Sequence, residues 1–234
     1  MFPFQADRPP YVDRAEAGGV LAERLANELA EWLVNEPAEP ARPLVLGLPR
    51  GGIPVAGPVA AALTAPLDVL LVRKLGLPGY PELAMGAVAV VGNRIAVVRN
   101  EPVLQERRLS PAEFETACRN ELITLREQAV RYREDREPES VAGRLVIVVD
   151  DGLATGATMR AAVAALRAAG AGRLMLAVPI GSPHTCAALA ARVDGLLCPW
   201  QPPNFFSVSQ GYRDFGQTSE AEVIRILAAA RGTD

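Results

Sequence analysis

The sequence predicts an α/β fold in which a parallel, twisted sheet carries helices on both faces. One observation is that short apolar runs alternate with helical patterns, most clearly at 43–48 and 145–149. Continuous apolar runs of this kind are typical of strands buried on both faces, and right-handed crossovers make such strands parallel. The other is that loops of small or charged residues follow these two runs directly, where α/β folds collect ligand-binding groups.

The whole chain, residues 1–234, is expected to form one domain with a core at about 43–200. An amphipathic helix at 14–35 precedes the core, since its apolar residues recur at helical spacing and Asp13 with Glu16 forms a capping box. The same alternation of apolar runs and helical patterns predicts the core elements. These are strand 43–48, helix 53–63, strand 67–72, strand 145–149, helix 159–169, strand 173–180, a helix from 183 to about 192, strand 195–198 and helix 221–230.

A hairpin and a charged helical insertion interrupt the core. Two β-favouring runs, 84–91 and 94–98, flank the turn signal Gly92-Asn93. The insertion covers about 101–136, and its long helix is predicted to start after Ser110, where Pro111 and Glu113 complete a start signal. Its charged residues predict a solvated face, and a dimer contact is favoured over nucleic-acid binding because acids are as numerous as bases.

The chemistry is concentrated between strand 145–149 and the helix that follows it. Asp150 and Asp151 end the strand, and the seven residues after them form a loop of small and hydroxyl side chains: Gly152, Leu153, Ala154, Thr155, Gly156, Ala157 and Thr158. Loop amides and a helix N-terminus hold phosphates, while paired carboxylates accept hydrogen bonds from a diol. The stretch therefore predicts a site for a ribose 5-phosphate; an ordinary strand–helix turn capped by an acid is the structural alternative.

The run VIVVDDGLATGATM resembles the motif that binds phosphoribosyl pyrophosphate (PRPP) in type I phosphoribosyltransferases. The resemblance implies that loop 152–158 holds the 5-phosphate and that Asp150 and Asp151 act on the ribose as catalytic residues. It also implies transfer of the phosphoribosyl group to a nitrogen nucleophile, most plainly a nucleobase in nucleotide salvage, with release of pyrophosphate. Mg²⁺ would enter bound to the phosphates of PRPP, without a dedicated protein metal site.

The same resemblance assigns a pyrophosphate loop after the first strand, formed by Pro49, Arg50, Gly51 and Gly52. Arg73 and Lys74, the latter the only lysine of the chain, would sit at the end of the second strand and reach the pyrophosphate, with Lys74 also catalytic. Residues 76–81 match the family's flexible loop, and Glu82 at its end is a candidate proton acceptor.

An aromatic segment at 199–216 matches the family's variable hood over the acceptor. Its rings are Trp200, Phe205, Phe206, Tyr212 and Phe215. They either stack on a flat acceptor or close a loop onto the core, and the sequence leaves both open. Many 6-oxopurine enzymes of the family carry an acid where this chain has Ala154, so the acceptor stays open.

Composition excludes several other classes. A formal net charge of −3 argues against a general nucleic-acid binder. No apolar run reaches the roughly 20 residues of a membrane span, and the first residues lack a signal-peptide pattern, so a cytoplasmic protein with small-molecule substrates and no membrane contact is expected, as a homodimer. Two alternatives remain: a non-catalytic regulator that binds PRPP or a nucleotide, and a plain nucleotide-binding module.

Overall fold

A computed structural model describes residues 10–34, 42–77, 80–92, 94–134 and 136–230, with residues 30–34 and 80–83 described in their backbone. Predicted features outside these ranges include the tip of loop 76–81 and Asn93 of the hairpin turn. The elements are α1 (Arg14–Val34), β1 (Leu44–Gly47), α2 (Gly52–Ala62), β2 (Leu67–Val69), β3 (Leu71–Leu77), β4 (Tyr80–Val91), β5 (Arg94–Arg99), α3 (Glu101–Glu106), α4 (Pro111–Arg133), β6 (Leu145–Val149), α5 (Ala157–Ala168), β7 (Arg173–Ala177), α6 (Pro183–Ala190), β8 (Gly195–Leu197) and α7 (Glu220–Ala229).

A five-stranded parallel sheet forms the core, in the order β2-β1-β6-β7-β8. Successive residues of each strand face opposite sides, so Val45 and Ile147 pack under α1, α2 and α7, while Leu46 and Val148 pack under α5 and α6. Both faces are therefore covered by helices, which confirms the predicted fold class. Because β1 and β6 are adjacent and parallel, the loops that follow them lie at the same edge of the sheet.

A second, three-stranded antiparallel sheet holds β3, β4 and β5. The prediction of one strand over 67–72 was wrong in extent: the chain leaves the parallel sheet at Leu70, and β3 pairs with β4 from Leu71 to Leu77. The reason is the long apolar strand β4, which offers β3 a partner that the parallel sheet lacks. Arg73 and Lys74 consequently lie inside a hairpin strand rather than at the end of a core strand.

The three-stranded sheet, whose strands β4 and β5 are the predicted hairpin, lies between two helices, with α4 on one face and α5 on the other. Phe114, Cys118 and Leu125 of α4 pack against the face that carries Leu75 and Val88. The predicted start of α4 is confirmed, because Ser110 and Glu113 form a reciprocal capping box. The helical insertion thus covers one face of the hairpin.

A buried ion pair anchors the end of α4 to the edge strand β2. Arg133 donates from Nε to Asp68 Oδ1 at 2.9 Å and from Nη2 to the Val69 carbonyl at 3.0 Å. Only 5% of Arg133 and 1% of Asp68 is exposed. The carboxylate of Asp68 also accepts a hydrogen bond from the Glu139 amide, so the segment after α4 is held at the same point.

Candidate active site

Two carboxylates stand at the carboxyl end of the central strand β6. Asp150 and Asp151 follow Val149 directly, and the Asp151 amide donates to Asp150 Oδ1 at 2.9 Å. Burial raises the pKa of Asp150 well above its usual range, and the neighbouring charge of Asp151 raises it further. Burial also raises the pKa of Asp151. Two acids held this close together favour a ligand that donates hydrogen bonds or develops positive charge.

Arg14, at the start of α1, pairs with the second acid. Its Nε donates to Asp151 Oδ2 at 2.8 Å, and its Nη1 donates to the Gly216 carbonyl at 2.7 Å. Its guanidinium carbon lies 3.9 Å from the centroid of the Phe215 ring. The positive charge opposes the rise in the pKa of Asp151 that burial causes. Sequence reasoning missed Arg14, because no local pattern links it to an acid 137 positions away.

The loop Pro49–Gly52 lies directly against the acid pair. A Cβ atom added to Gly51 would lie 2.0 Å from Asp151 Oδ2, and one added to Gly52 would lie 2.7 Å from the Val149 carbonyl oxygen. No side chain fits in either gap, so this approach requires glycine at both positions. The predicted pyrophosphate loop therefore packs directly against the acid pair that precedes loop 152–158.

The predicted loop 152–158 is shorter in the structure, because α5 already begins at Ala157, and the loop is fixed to the core at its centre. The Leu153 amide donates to the Ile180 carbonyl at 2.8 Å, and Thr185 Oγ1 donates to the Ala154 carbonyl at 2.7 Å. Gly156 has a φ of +69° and immediately precedes α5, a conformation that disfavours side chains. The side chains of Thr155 and Thr158 are both exposed. Thr185, which supports the loop from α6, was not predicted.

A cavity of about 750 Å³ is lined in part by Leu48, Pro49 and Arg50; we call it the basic cavity. The cations that line it are Arg50, Arg73 and Lys74, and Thr158 of loop 152–158 reaches it as well. Two acidic residues, Glu121 and Glu220, line it too. Glu121 Oε2 lies 4.0 Å from Arg73 Nε, and Glu220 Oε1 lies 2.8 Å from Arg131 Nη1. Three predicted basic residues and one hydroxyl of the predicted phosphate loop are thus brought together.

Some predicted groups are not brought into this arrangement. Asp150 and Asp151 do not line the basic cavity among its described residues, but lie beside the glycines of the adjoining loop. Glu82 lies in β4, and its side chain is outside the described part of the structure. Its role as a proton acceptor stays a prediction.

The aromatic residues of segment 199–216 mostly fill a small core. Trp200, Phe205 and Phe215 pack around Tyr11, Ile180 and Tyr212. Backbone hydrogen bonds join the segment to the N-terminal residues, as from the Arg213 amide to the Tyr11 carbonyl at 2.9 Å. The Tyr212 hydroxyl donates to the Asp151 carbonyl, so the segment touches the acid pair. Phe206 differs from the other rings, since 80% of it is exposed.

The described residues hold neither a metal-binding cluster nor a membrane-spanning helix. Over that part, no group of three or more His, Cys, Asp or Glu side chains is placed to hold a metal ion. Within the same ranges, no helix has the length and apolar character that crossing a membrane requires.

Comparison with known proteins identifies the family of this chain. A family model described as a phosphoribosyl transferase domain matches residues 19–202. A Mycobacterium tuberculosis H37Rv protein, named provisionally as a phosphoribosyl transferase, is 45% identical over 93% of this chain and 46% of its own length. The chain thus spans about half the length of that curated relative.

Two further comparisons cover most or nearly all of the compared protein. The uracil phosphoribosyltransferase of a Nocardioides species is 30% identical over 84% of this chain and 80% of its own length. Among solved structures, the protein TT1426 from Thermus thermophilus superposes with a TM-score of 0.78 and 38% identity. That superposition covers 94% of this chain and 98% of the other.

Proposed function

This chain belongs to the phosphoribosyl transferase family, and from that premise we propose that it transfers the 5-phosphoribosyl group of PRPP to a nitrogen nucleophile. The bond from the anomeric carbon to pyrophosphate breaks, the bond to nitrogen forms, and pyrophosphate leaves. One observation carries the proposal: Gly51 lies so close to Asp151 that a Cβ there would be 2.0 Å from Oδ2. A loop suited to pyrophosphate therefore lies in direct contact with an acid pair suited to ribose.

The ribose end of PRPP is assigned to β6 and the loop after it. Loop 152–158 binds the 5-phosphate through its amides, the hydroxyls of Thr155 and Thr158, and the N-terminus of α5. Asp150 and Asp151 accept hydrogen bonds from the ribose hydroxyls. Their negative charge also stabilises the oxocarbenium-like transition state, in which the anomeric carbon becomes positive.

The pyrophosphate end is assigned to the loop Pro49–Gly52 and the basic cavity. Arg50, Arg73 and Lys74 neutralise the charge that grows on the leaving group, and Lys74 acts as a catalytic residue in this sense. Mg²⁺ fits this place, because the carboxylate oxygens of Glu121 and Glu220 line the cavity and hard cations take oxygen ligands. Bound chiefly to the phosphates, the ion would supply further charge neutralisation.

The acceptor is proposed to be a nucleobase, which would place the reaction in nucleotide salvage. The similarity to a relative named uracil phosphoribosyltransferase supports a base, and Ala154 offers no acid to handle the proton of a 6-oxopurine. Glu82 is the proposed proton acceptor. We further propose a cytoplasmic homodimer that does not bind nucleic acid, with Ile123 and Val130 of α4, 58% and 70% exposed, at the dimer contact.

The direct test is pyrophosphate release from PRPP and Mg²⁺ across a panel of purines, pyrimidines and simple amines. We expect one class of acceptor to give release that depends on both substrates. The alternative is a non-catalytic regulator that binds PRPP, which is compatible with the missing acid at Ala154. Calorimetric binding of PRPP without release for any acceptor would favour the regulator, and absence of both would refute the proposed function.

Replacement of Arg14 by methionine is predicted to shift the pH dependence of turnover. Arg14 lowers the pKa of Asp151, and the reaction needs that carboxylate ionised. Without the cation the pKa of Asp151 rises, so the acidic limb of the pH–rate profile should move to higher pH. Arg14→Lys should restore part of the shift. An unchanged acidic limb in Arg14→Met would contradict this role.

Gly51→Ala is predicted to lower turnover of PRPP by roughly a hundredfold while the protein stays folded, because the Cβ would displace either the loop or the Asp151 carboxylate. Steady-state kinetics and circular dichroism would test this. The matched control is Gly19→Ala in α1, where an added Cβ meets nothing within 4 Å. Equal activity of the two variants would argue against a tight loop–acid contact.

A further inference from the structure

Tyr132, near the end of α4, has a buried ring and a hydroxyl that opens onto the basic cavity. Only 1% of the residue is exposed, and it lines the cavity together with Arg50 and Arg73. Among the described residues, its hydroxyl has no hydrogen-bond partner. Tyr11, also 1% exposed, instead donates from its hydroxyl to the Pro179 carbonyl at 3.0 Å. A deeply buried tyrosine normally has a partner for its hydroxyl, so a donor left open at a cavity wall points to a ligand inside the cavity.

The charges around this hydroxyl favour an anion as that ligand. The charges that act on the pKa of Tyr132 are those of Arg50, Arg73, Arg131 and Glu220, and Lys74 and Glu121 also line the cavity. Burial is the main cause that raises the pKa of Tyr132, and the hydroxyl therefore keeps its proton at neutral pH and can donate. A neutral donor between guanidinium groups matches an oxygen of a phosphate, which accepts hydrogen bonds from both kinds of donor.

The position of Tyr132 is fixed by an ion pair of the residue that follows it in α4. The next residue, Arg133, forms the buried ion pair with Asp68 that fixes the end of α4 to β2. The hydroxyl is thereby directed at the cavity by a rigid element rather than by a loop, which is the arrangement that a binding residue needs.

We propose that Tyr132 is a further substrate-binding residue, whose hydroxyl donates a hydrogen bond to an oxygen of the pyrophosphate group of PRPP. The proposal rests on the proposed function, in which Arg50, Arg73 and Lys74 hold that group. It gives the helical insertion a part in the binding site, in addition to covering one face of the hairpin.

The test measures binding of Mg²⁺-pyrophosphate by calorimetry and the thermal midpoint of unfolding for wild type, Tyr132→Phe and Tyr11→Phe. Tyr132→Phe is expected to bind about tenfold more weakly, because it loses a hydrogen bond to a charged group. Its midpoint should be no lower than that of wild type, since no internal hydrogen bond is lost. Tyr11→Phe loses one and should have a lower midpoint, with binding close to that of wild type.

The possible results distinguish the role of Tyr132 from the proposed function. Wild-type affinity in Tyr132→Phe overturns the inference and leaves the proposed function untouched. A lowered midpoint in Tyr132→Phe, with affinity retained, assigns the hydroxyl to the fold and also overturns it. If wild type turns over PRPP but binds no pyrophosphate, the inference alone fails. If wild type shows neither binding nor turnover, the proposed function fails and the inference with it.

Discussion

Replacement of both Asp150 and Asp151 by asparagine is expected to abolish PRPP turnover, with a loss of roughly a thousandfold or more. The amides keep the shape of the side chains but remove the negative charge that the oxocarbenium-like transition state requires. The measurement is the initial rate of pyrophosphate release at saturating PRPP. Turnover that survives the double substitution would refute the assignment of the acid pair.

The same variant should unfold at the same temperature as wild type or higher at pH 7. Burial raises the pKa of both acids in the folded state, so the folded state is favoured while the acids are protonated at low pH. That stability is lost as the pH rises through the raised pKa values, because the acids must then ionise while they are buried. Asparagine removes this cost. A charge-matched control is Glu115→Gln with Glu127→Gln, which changes two carboxylates of α4 and should leave turnover unchanged.

Asp68→Ala is expected to lower the free energy of unfolding by about 3–5 kcal/mol, because it leaves Arg133 as a buried charge without its carboxylate. It also removes the acceptor of the Glu139 amide. Urea denaturation followed by circular dichroism would measure the effect. We expect the loss to fall on the attachment of α4, and therefore to weaken pyrophosphate binding in the basic cavity as well.

The comparison for this prediction is an ion pair at the surface. Glu101 accepts from Arg99 Nε at 2.7 Å, but its side chain is 55% exposed. Glu101→Ala should therefore cost only about 0–1 kcal/mol. If Asp68→Ala proved as mild as Glu101→Ala, the buried pair would not be what anchors the insertion.

Local patterns predicted much of the core and the two loops. The apolar run of β6, its acid pair and the glycine before α5 are close together in the sequence, and their structure depends mainly on neighbouring residues. The start of α4 was equally predictable, since Ser110 and Glu113 interact across three positions. The hairpin was harder: the break at Leu70 depends on a strand partner supplied by residues 80–91.

The sequence by itself determined the fold class, the order of loop and acid motifs, and the family resemblance, because these follow from periodicity and from residues close together in the chain. Only the tertiary structure decided that Arg14 meets Asp151, that Gly51 lies against the same carboxylate, and that Tyr132 and Arg50 line one cavity. Those contacts join residues far apart in the chain, and packing of helices against both sheets sets them. A one-dimensional pattern carries no signal for such distances.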